Sequence, residues 1–213
     1  MVEPVEELNP GSPTEPRPAA SVILLRRGSK HSSRGLEILL GRRTPKASFM
    51  PNAWVFPGGA VDQVSAQGVG DAEYRATAIR ELGEETAVVI EDPAKLVPFS
   101  RWITPREVKV RYDTWFYLAL APAHASPTPD GSEIVELSWF EPQDALDRGA
   151  AGEMLLVFPT IKQLEALRQF DSAADALETS AGREIVPILP KVSVVDGAPR
   201  ILLPGDAGYE ELE

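Results

Sequence analysis

The turn Phe56-Pro57-Gly58-Gly59 is followed, across a polar segment, by Arg80-Glu81-Leu82-Gly83-Glu84-Glu85-Thr86. At about 100° per residue, Glu84 and Glu85 fall on either side of Glu81 within an arc of roughly 100°. A helix through this segment therefore carries three carboxylates on one side. Behind them lie Ala72, Ala76, Ile79 and Gly83, small or apolar residues suited to close packing. Like charges at this spacing repel by a few tenths of a kcal/mol per pair, a cost that makes sense if a divalent cation sits between them.

Around this feature the chain mixes strands and helices. Residues 1–17 are rich in Pro and Glu without apolar periodicity and read as disordered. Ser21–Leu25 reads as a buried strand, with Leu36–Leu40 as its hairpin partner. Trp54–Phe56 reads as a strand stopped by the glycine turn. Asp71 is the expected N-cap of a helix over 72–87. Val88–Ile90, Leu96–Val97, Val108–Leu120 and Ile134–Phe140 are strand candidates, the third rich in aromatics. Helices are expected from Pro142, over Ile161–Phe170 and over Ala173–Glu178, before short strands and Pro/Gly turns close the chain. Mixed strands and helices without strict alternation imply an α/β fold, a sheet with helices on both faces.

Composition narrows the function. The 213 residues are 43% hydrophobic and 25% charged, with no cysteine, so disulfides and thiolate zinc sites are excluded. No apolar run reaches the roughly 18 residues of a membrane span, and Met1–Glu7 lacks the pattern of a secretory signal. The expectation is a cytoplasmic protein. A net charge of −11 argues against a nucleic-acid surface. Basic residues nonetheless cluster between Arg26 and Lys46 and again at Arg101, Arg106, Lys109 and Arg111, which suits a small anionic ligand.

The glycine turn followed by Arg80-Glu81-Leu82-Gly83-Glu84-Glu85 resembles the Nudix box, in which a glycine, a glutamate, and then Arg-Glu-U-x-Glu-Glu-x-Gly-U (U aliphatic) follow at set spacings. Matched residue by residue, the first glycine is Gly59, the core is Arg80–Glu85 and the closing aliphatic residue is Val88. The match has three departures. Twenty residues, not thirteen, separate Gly59 from Arg80; the mid-box glutamate falls on Ala72, with Asp71 and Glu73 as imperfect substitutes; and the closing glycine is Ala87. Arg101–Pro105, Arg111–Phe116, Asp62 and Leu203–Asp206 resemble the acyl-CoA diphosphatase-like branch. Of that branch's coenzyme A signature, Leu39, Leu40 and Arg43 are in place, whereas Ser48 replaces an arginine and Asn52 a glycine.

The resemblance implies a Nudix α/β/α sandwich with a mixed sheet over residues 18–170 and a C-terminal extension, 171–213, packed on it. The implied activity is metal-dependent cleavage of the pyrophosphate in a nucleoside diphosphate derivative, coenzyme A or an acyl-CoA first. The alternative is a nucleotide-binding or regulatory module that does not hydrolyse its ligand. The expected cofactor is Mg²⁺ or Mn²⁺, hard ions that take oxygen ligands, held by Glu81, Glu84, Glu85 and Gly59. Glu84 and Glu133 are the candidates for acid–base work, Glu136 being the alternative to Glu133. Arg43, Arg101 and Arg111 are the candidates for gripping phosphate oxygens through their guanidinium forks. Trp102 and Trp115 would either stack on a base or fill the core, and His31 and His124 have no assigned role. The partner is a small nucleotide, with no nucleic acid and no membrane; the loop after Gly59 and the C-terminal segment could shape the pocket or a homodimer contact.

Overall fold

The computed structural model describes residues 9, 11–28, 35–62, 68–195 and 198–212. Its elements run β1 (Arg17–Arg27), β2 (Leu36–Arg43), β3 (Ala53–Val55), β4 (Gly58–Ala60), α1 (Asp71–Thr86), β5 (Val97–Ile103), β6 (Tyr112–Leu120), β7 (Ile134–Phe140), α2 (Pro142–Ala150), β8 (Leu155–Leu156), α3 (Phe158–Leu167), α4 (Ala173–Ser180), β9 (Pro187–Ile188), β10 (Lys191–Val195) and β11 (Ala198–Leu202). The main sheet is mixed, in the order β8-β3-β2-β1-β6-β5-β9, with β4 also on β1 and β7 on β2.

β1 organises the sheet. It runs parallel to β6 from Arg17↔Tyr112 to Leu25↔Leu120, antiparallel to β2 at one end and antiparallel to β4 at Ala19–Ser21. Its unbroken apolar run is explained by burial on both faces. Val22 and Leu24 enter one core with Tyr74, Ala78 and Leu82 of α1. Ile23 and Leu25 enter the other with Ala145, Leu164, Leu167 and Ala176 from α2, α3 and α4. The result is helix, sheet and helix in three layers. Phe170 and Ala173 belong to the second core, with Ile188 and Leu203 packed against it, and β9 pairs with β5. No helix among the described residues is long and apolar enough to cross a membrane.

Several local expectations are corrected. α1 packs through Tyr74, Ala78 and Leu82, while Ala72 and Ala76 are exposed, because the larger side chains fill the space over the sheet. Its N-cap is Gly70, whose amide is taken by Glu73 at 3.0 Å; Asp71 is already helical. Val88–Ile90 is not a strand, because the Val88 amide donates to Thr86 Oγ1 at 3.2 Å and closes the helix end instead. β6 begins at Tyr112, and β5 extends to Ile103. Of the N-terminal segment, residues 1–8 and 10 lie outside the described residues. The part before β1 that is described is tied down: the Asn9 amide donates to the Glu107 carbonyl at 2.7 Å and Thr14 Oγ1 to that of Lys109 at 3.1 Å.

Candidate active site

Two glycines bring α1 against β1. β4 pairs with β1 at Ser21↔Gly58 and Ala20↔Gly59. A Cβ on Gly58 would collide with the Ala20 carbonyl and stand 2.6 Å from Ser21 Cα, whereas one on Gly59 would run into the Glu81 carboxylate. The turn is glycine because its backbone is approached closely from both sides. The Gly58 amide donates to Glu85 Oε2 at 3.0 Å, which fixes the end of α1 over the turn.

Glu85 is only 4% exposed. Burial drives its pKa upward, the Gly58 hydrogen bond opposes this, Glu81 and Glu133 add to the rise and Arg43 counters it; the net value is about 8. Glu81 is raised for the same first reason, burial, against the pull of Arg80, with Glu84 and Glu133 pushing it further. Arg80 holds Glu81 Oε1 at 2.7 Å, Glu84 Oε2 at 2.7 Å and Asp62 at 3.1 Å. It therefore orients acids of the box. Asp62 is a member of this set that charge spacing did not reveal, since the long loop separates it from Arg80.

Glu133 is brought to the same place by a laced turn. Asp130 accepts the amides of Ser132, Glu133 and Ile134 at 2.9, 2.9 and 2.8 Å and the Ser132 hydroxyl. Burial works to raise its pKa, but these hydrogen bonds prevail and hold it down at about 2. The Asp130 amide in turn donates to the Glu85 carbonyl at 3.3 Å, and Thr44 donates to the Glu133 carbonyl at 2.8 Å. The Asp130 turn thus ties α1, Glu133 and the end of β2 together, and Arg43, beside Thr44, donates to the Phe49 carbonyl at 3.1 Å. Asp130-Gly-Ser-Glu is a readable side-chain-to-backbone turn signal.

Glu81, Glu85, Glu133 and Arg43 thus share one electrostatic neighbourhood. The other expected residues stand differently. Glu84, with 58% of its side chain exposed, is paired with Arg80. Glu136 is paired with Arg42 at 2.9 Å, so of the two strand-end acids it is Glu133 that couples to the box. Arg101 forms a two-pronged ion pair with Asp113 at 2.7 and 2.6 Å. Arg111 is buried, donating to the carbonyls of Thr104 and Thr14; this corrects its assignment to phosphate, because its donors bind the N-terminal segment to the β5–β6 connection. Trp102 and Trp115 pack in the cores. Asp71 pairs with Arg75 at 2.6 Å and Glu73 caps Gly70; Glu73 lies about 12 Å along the helix from Glu81, so neither replaces the mid-box acid. His124 is exposed, and His31 lies outside the described residues.

Among the described residues, no three His, Asp or Glu side chains converge as a ready-made metal cage, since Arg80 and the Gly58 amide divide the carboxylates between them. The donor set nevertheless fits Mg²⁺ or Mn²⁺. Mg²⁺ is usually bound by one or two carboxylates plus substrate phosphates. Glu81 and Glu85 offer that pair of hard oxygens, half-buried and buried beside each other, where two negative charges persist only with a cation.

Residues 15–159 match the model of the NUDIX domain. The chain is 31% identical over 187 residues to a Caenorhabditis elegans protein provisionally named nudix hydrolase 7, an alignment covering 72% of this chain and 61% of that protein. It is 23% identical to a human protein named acyl-coenzyme A diphosphatase NUDT19, across 96% of this chain and 83% of the relative. The crystal structure of a NUDIX hydrolase from Alicyclobacillus acidocaldarius superposes with a TM-score of 0.68 at 26% identity, covering 80% of this chain and 99% of that one. The chain belongs to the Nudix family.

Proposed function

We propose that this chain is a metal-dependent pyrophosphohydrolase that splits the diphosphate of a nucleoside diphosphate derivative into two phosphorylated products, with coenzyme A or an acyl-CoA as its first substrate class. The observation that carries this reading is Glu85, buried next to Glu81 and anchored by a neutral amide. A carboxylate at that depth keeps its charge only beside a cation.

Hydrolysis forms a bond from water oxygen to phosphorus and breaks the bridging P–O bond, so it depends on positioning and charge neutralisation. When bound, Mg²⁺ or Mn²⁺ supplies that neutralisation and acidifies a water. Glu81 and Glu85, with the Gly59 backbone beside them, are the residues that would hold it. Arg80 fixes the rotamer of Glu81. Glu133, at the mouth of the Asp130 turn, accepts the proton from the attacking water. Arg43 offers its guanidinium to a phosphate oxygen.

Coenzyme A is favoured by the resemblance of the region after the box and by the name of the human relative. A structural detail adds to this: Asn52, standing where the coenzyme A signature has glycine, has φ 61°, the left-handed conformation for which glycine is used and which Asn tolerates. The test is a panel of coenzyme A, acyl-CoA, ADP-ribose, dinucleotide polyphosphates and NADH with Mg²⁺ or Mn²⁺. Turnover of coenzyme A or its acyl derivatives, lost in Glu85→Gln, supports the reading; no turnover of any member overturns it.

A second reading, a binding module that leaves its nucleotide intact, is favoured by Ala72 at the mid-box position and by the engagement of Asp71 and Glu73 elsewhere. Calorimetric binding of a panel member that stays intact through prolonged incubation with metal would select it.

A further inference from the structure

The connection between β2 and β3, residues 44–52, is held in a strained conformation. Met50 stands at φ 50° and Asn52 at φ 61°. Asn tolerates the left-handed region, but for methionine it is an outlier that persists only where surrounding contacts impose it. Three contacts do so here. The Met50 side chain is buried, the Ala53 amide donates to the Met50 carbonyl at 3.3 Å, and the Phe49 ring meets Tyr112 edge-on at 5.7 Å and 61°. Tyr112 is firm ground. It pairs with Arg17 of β1, its amide donates to Thr104 Oγ1 at 3.0 Å, and its carbonyl accepts the Thr104 amide at 2.9 Å.

What this turn presents is the Phe49 carbonyl, which accepts Arg43 Nε at 3.1 Å. The β2–β7 register shifts between Arg42↔Glu136 and Arg43↔Ile134, a bulge of the kind that re-aims a side chain beside a site. Arg42, Arg80 and Arg101 are each paired with carboxylates. Among the described residues no carboxylate pairs with Arg43, although it lies within electrostatic reach of Glu85. With Nε on a carbonyl, the guanidinium edge formed by the two terminal amines is left for a two-pronged contact.

We propose that Phe49 is a positioning residue for Arg43: its ring, seated on Tyr112, holds the 44–52 turn so that its carbonyl aims the Arg43 guanidinium at the diphosphate of the substrate. The role rests on the proposed function, in which Arg43 meets a phosphate oxygen. Phe49 touches no reacting atom. It acts through Arg43, by ordering a long side chain before the anion arrives.

Two readouts on the full chain test this. In ¹H–¹⁵N spectra of the wild type, the Arg43 Nε–H, assigned by its loss in Arg43→Lys, should give a cross-peak protected from solvent exchange. Phe49→Ala should lose that peak and Phe49→Tyr should keep it, because a tyrosine ring offers the same edge contact. Calorimetry with Mg²⁺ and α,β-methylene-ADP, a nucleoside diphosphate whose bridge cannot be hydrolysed, reads the consequence. Arg43→Ala should weaken binding about ten-fold, as loss of a charge-assisted hydrogen bond does, and Phe49→Ala roughly three- to five-fold. In the Arg43→Ala background, Phe49→Ala should add nothing. If Phe49→Ala does not fold, Tyr112→Leu removes the same ring contact from the other side and should act alike. The proposal is overturned if the Nε–H peak persists unchanged without the ring contact, or if losing that contact weakens binding as much in the Arg43→Ala background as in the wild type. A wild type that binds no methylene-ADP, while the peak still depends on Phe49, supports the anchoring of Arg43 and overturns only the diphosphate reading.

Discussion

Gly58 and Glu85, 27 residues apart, are joined by a hydrogen bond of 3.0 Å from the glycine amide to the glutamate carboxylate. That bond fixes the last turn of α1 against β4, and through β4 against the central strand. It also makes a buried acid part of the fold before any ligand is considered. The two neighbouring glycines consequently have separable duties.

Gly58→Ala should cost stability and Gly59→Ala should cost function. The Cβ at residue 58 meets the backbone of β1, which cannot move aside, while the one at 59 meets first the end of the Glu81 side chain. Chemical denaturation should show Gly58→Ala destabilised by about 1–3 kcal/mol, the usual range for overpacking. Gly59→Ala should unfold close to wild type yet lose most Mg²⁺-dependent turnover, because Glu81 is displaced.

Stability of the metal-free protein should fall as pH rises. The folded-state pKa of Glu85 is about 8, above the unfolded value near 4.3, so between these values the native state holds a proton that the unfolded chain has released. By linkage, unfolding free energy declines across that window. Glu81, raised in the same direction, adds to the slope; Glu133 steepens it and Arg43 moderates it. Melting scans with chelator should give a lower Tm at pH 8 than at pH 6, a smaller difference in Glu85→Gln, and recovery of Tm at pH 8 with Mn²⁺.

Ala87→Gly should stabilise the protein. Ala87 ends α1 in the left-handed region, φ 59°, with its amide on the Gly83 carbonyl at 3.0 Å. An L side chain there costs about 1–2 kcal/mol, partly offset by the extra freedom glycine brings to the unfolded chain. A net gain of about 0.5–1 kcal/mol in denaturant midpoints checks this.

Asp130→Ala should act on catalysis through Glu133. Loss of a carboxylate that collects three backbone amides resembles loss of a helix cap and should cost about 1–2 kcal/mol. Under the proposed activity, kcat should fall more than KM changes, in the same direction as in Glu133→Gln. Unchanged kcat in Asp130→Ala, with Glu133→Gln impaired, would separate the turn from the chemistry.

The parts of this protein legible in its sequence are those where one local rule acts alone. β1 declared itself as an apolar run because both of its faces are buried, and the three glutamates of α1 by their spacing. The packing face of α1 is ambiguous in the sequence because small residues at Ala72 and Ala76 form a stripe as regular as Tyr74, Ala78 and Leu82; only the sheet beneath decides between them. Val88–Ile90 has strand chemistry, but Thr86 competes for its first amide. Arg111 looks like a phosphate ligand until the Thr14 carbonyl, 97 residues away, is placed on it. Glu133 and Glu136 could be told apart only once the β2–β7 register set Glu136 against Arg42.

The pairing of Glu81 with Glu85 around a divalent cation is tested most directly by electron paramagnetic resonance of Mn²⁺ titrated into the metal-free protein. The free-ion signal should be suppressed saturably by the wild-type chain and restored in both Glu81→Gln and Glu85→Gln, with both variants still folded by circular dichroism. A free-ion signal that the wild type does not diminish, or that the two variants diminish equally well, would contradict the site.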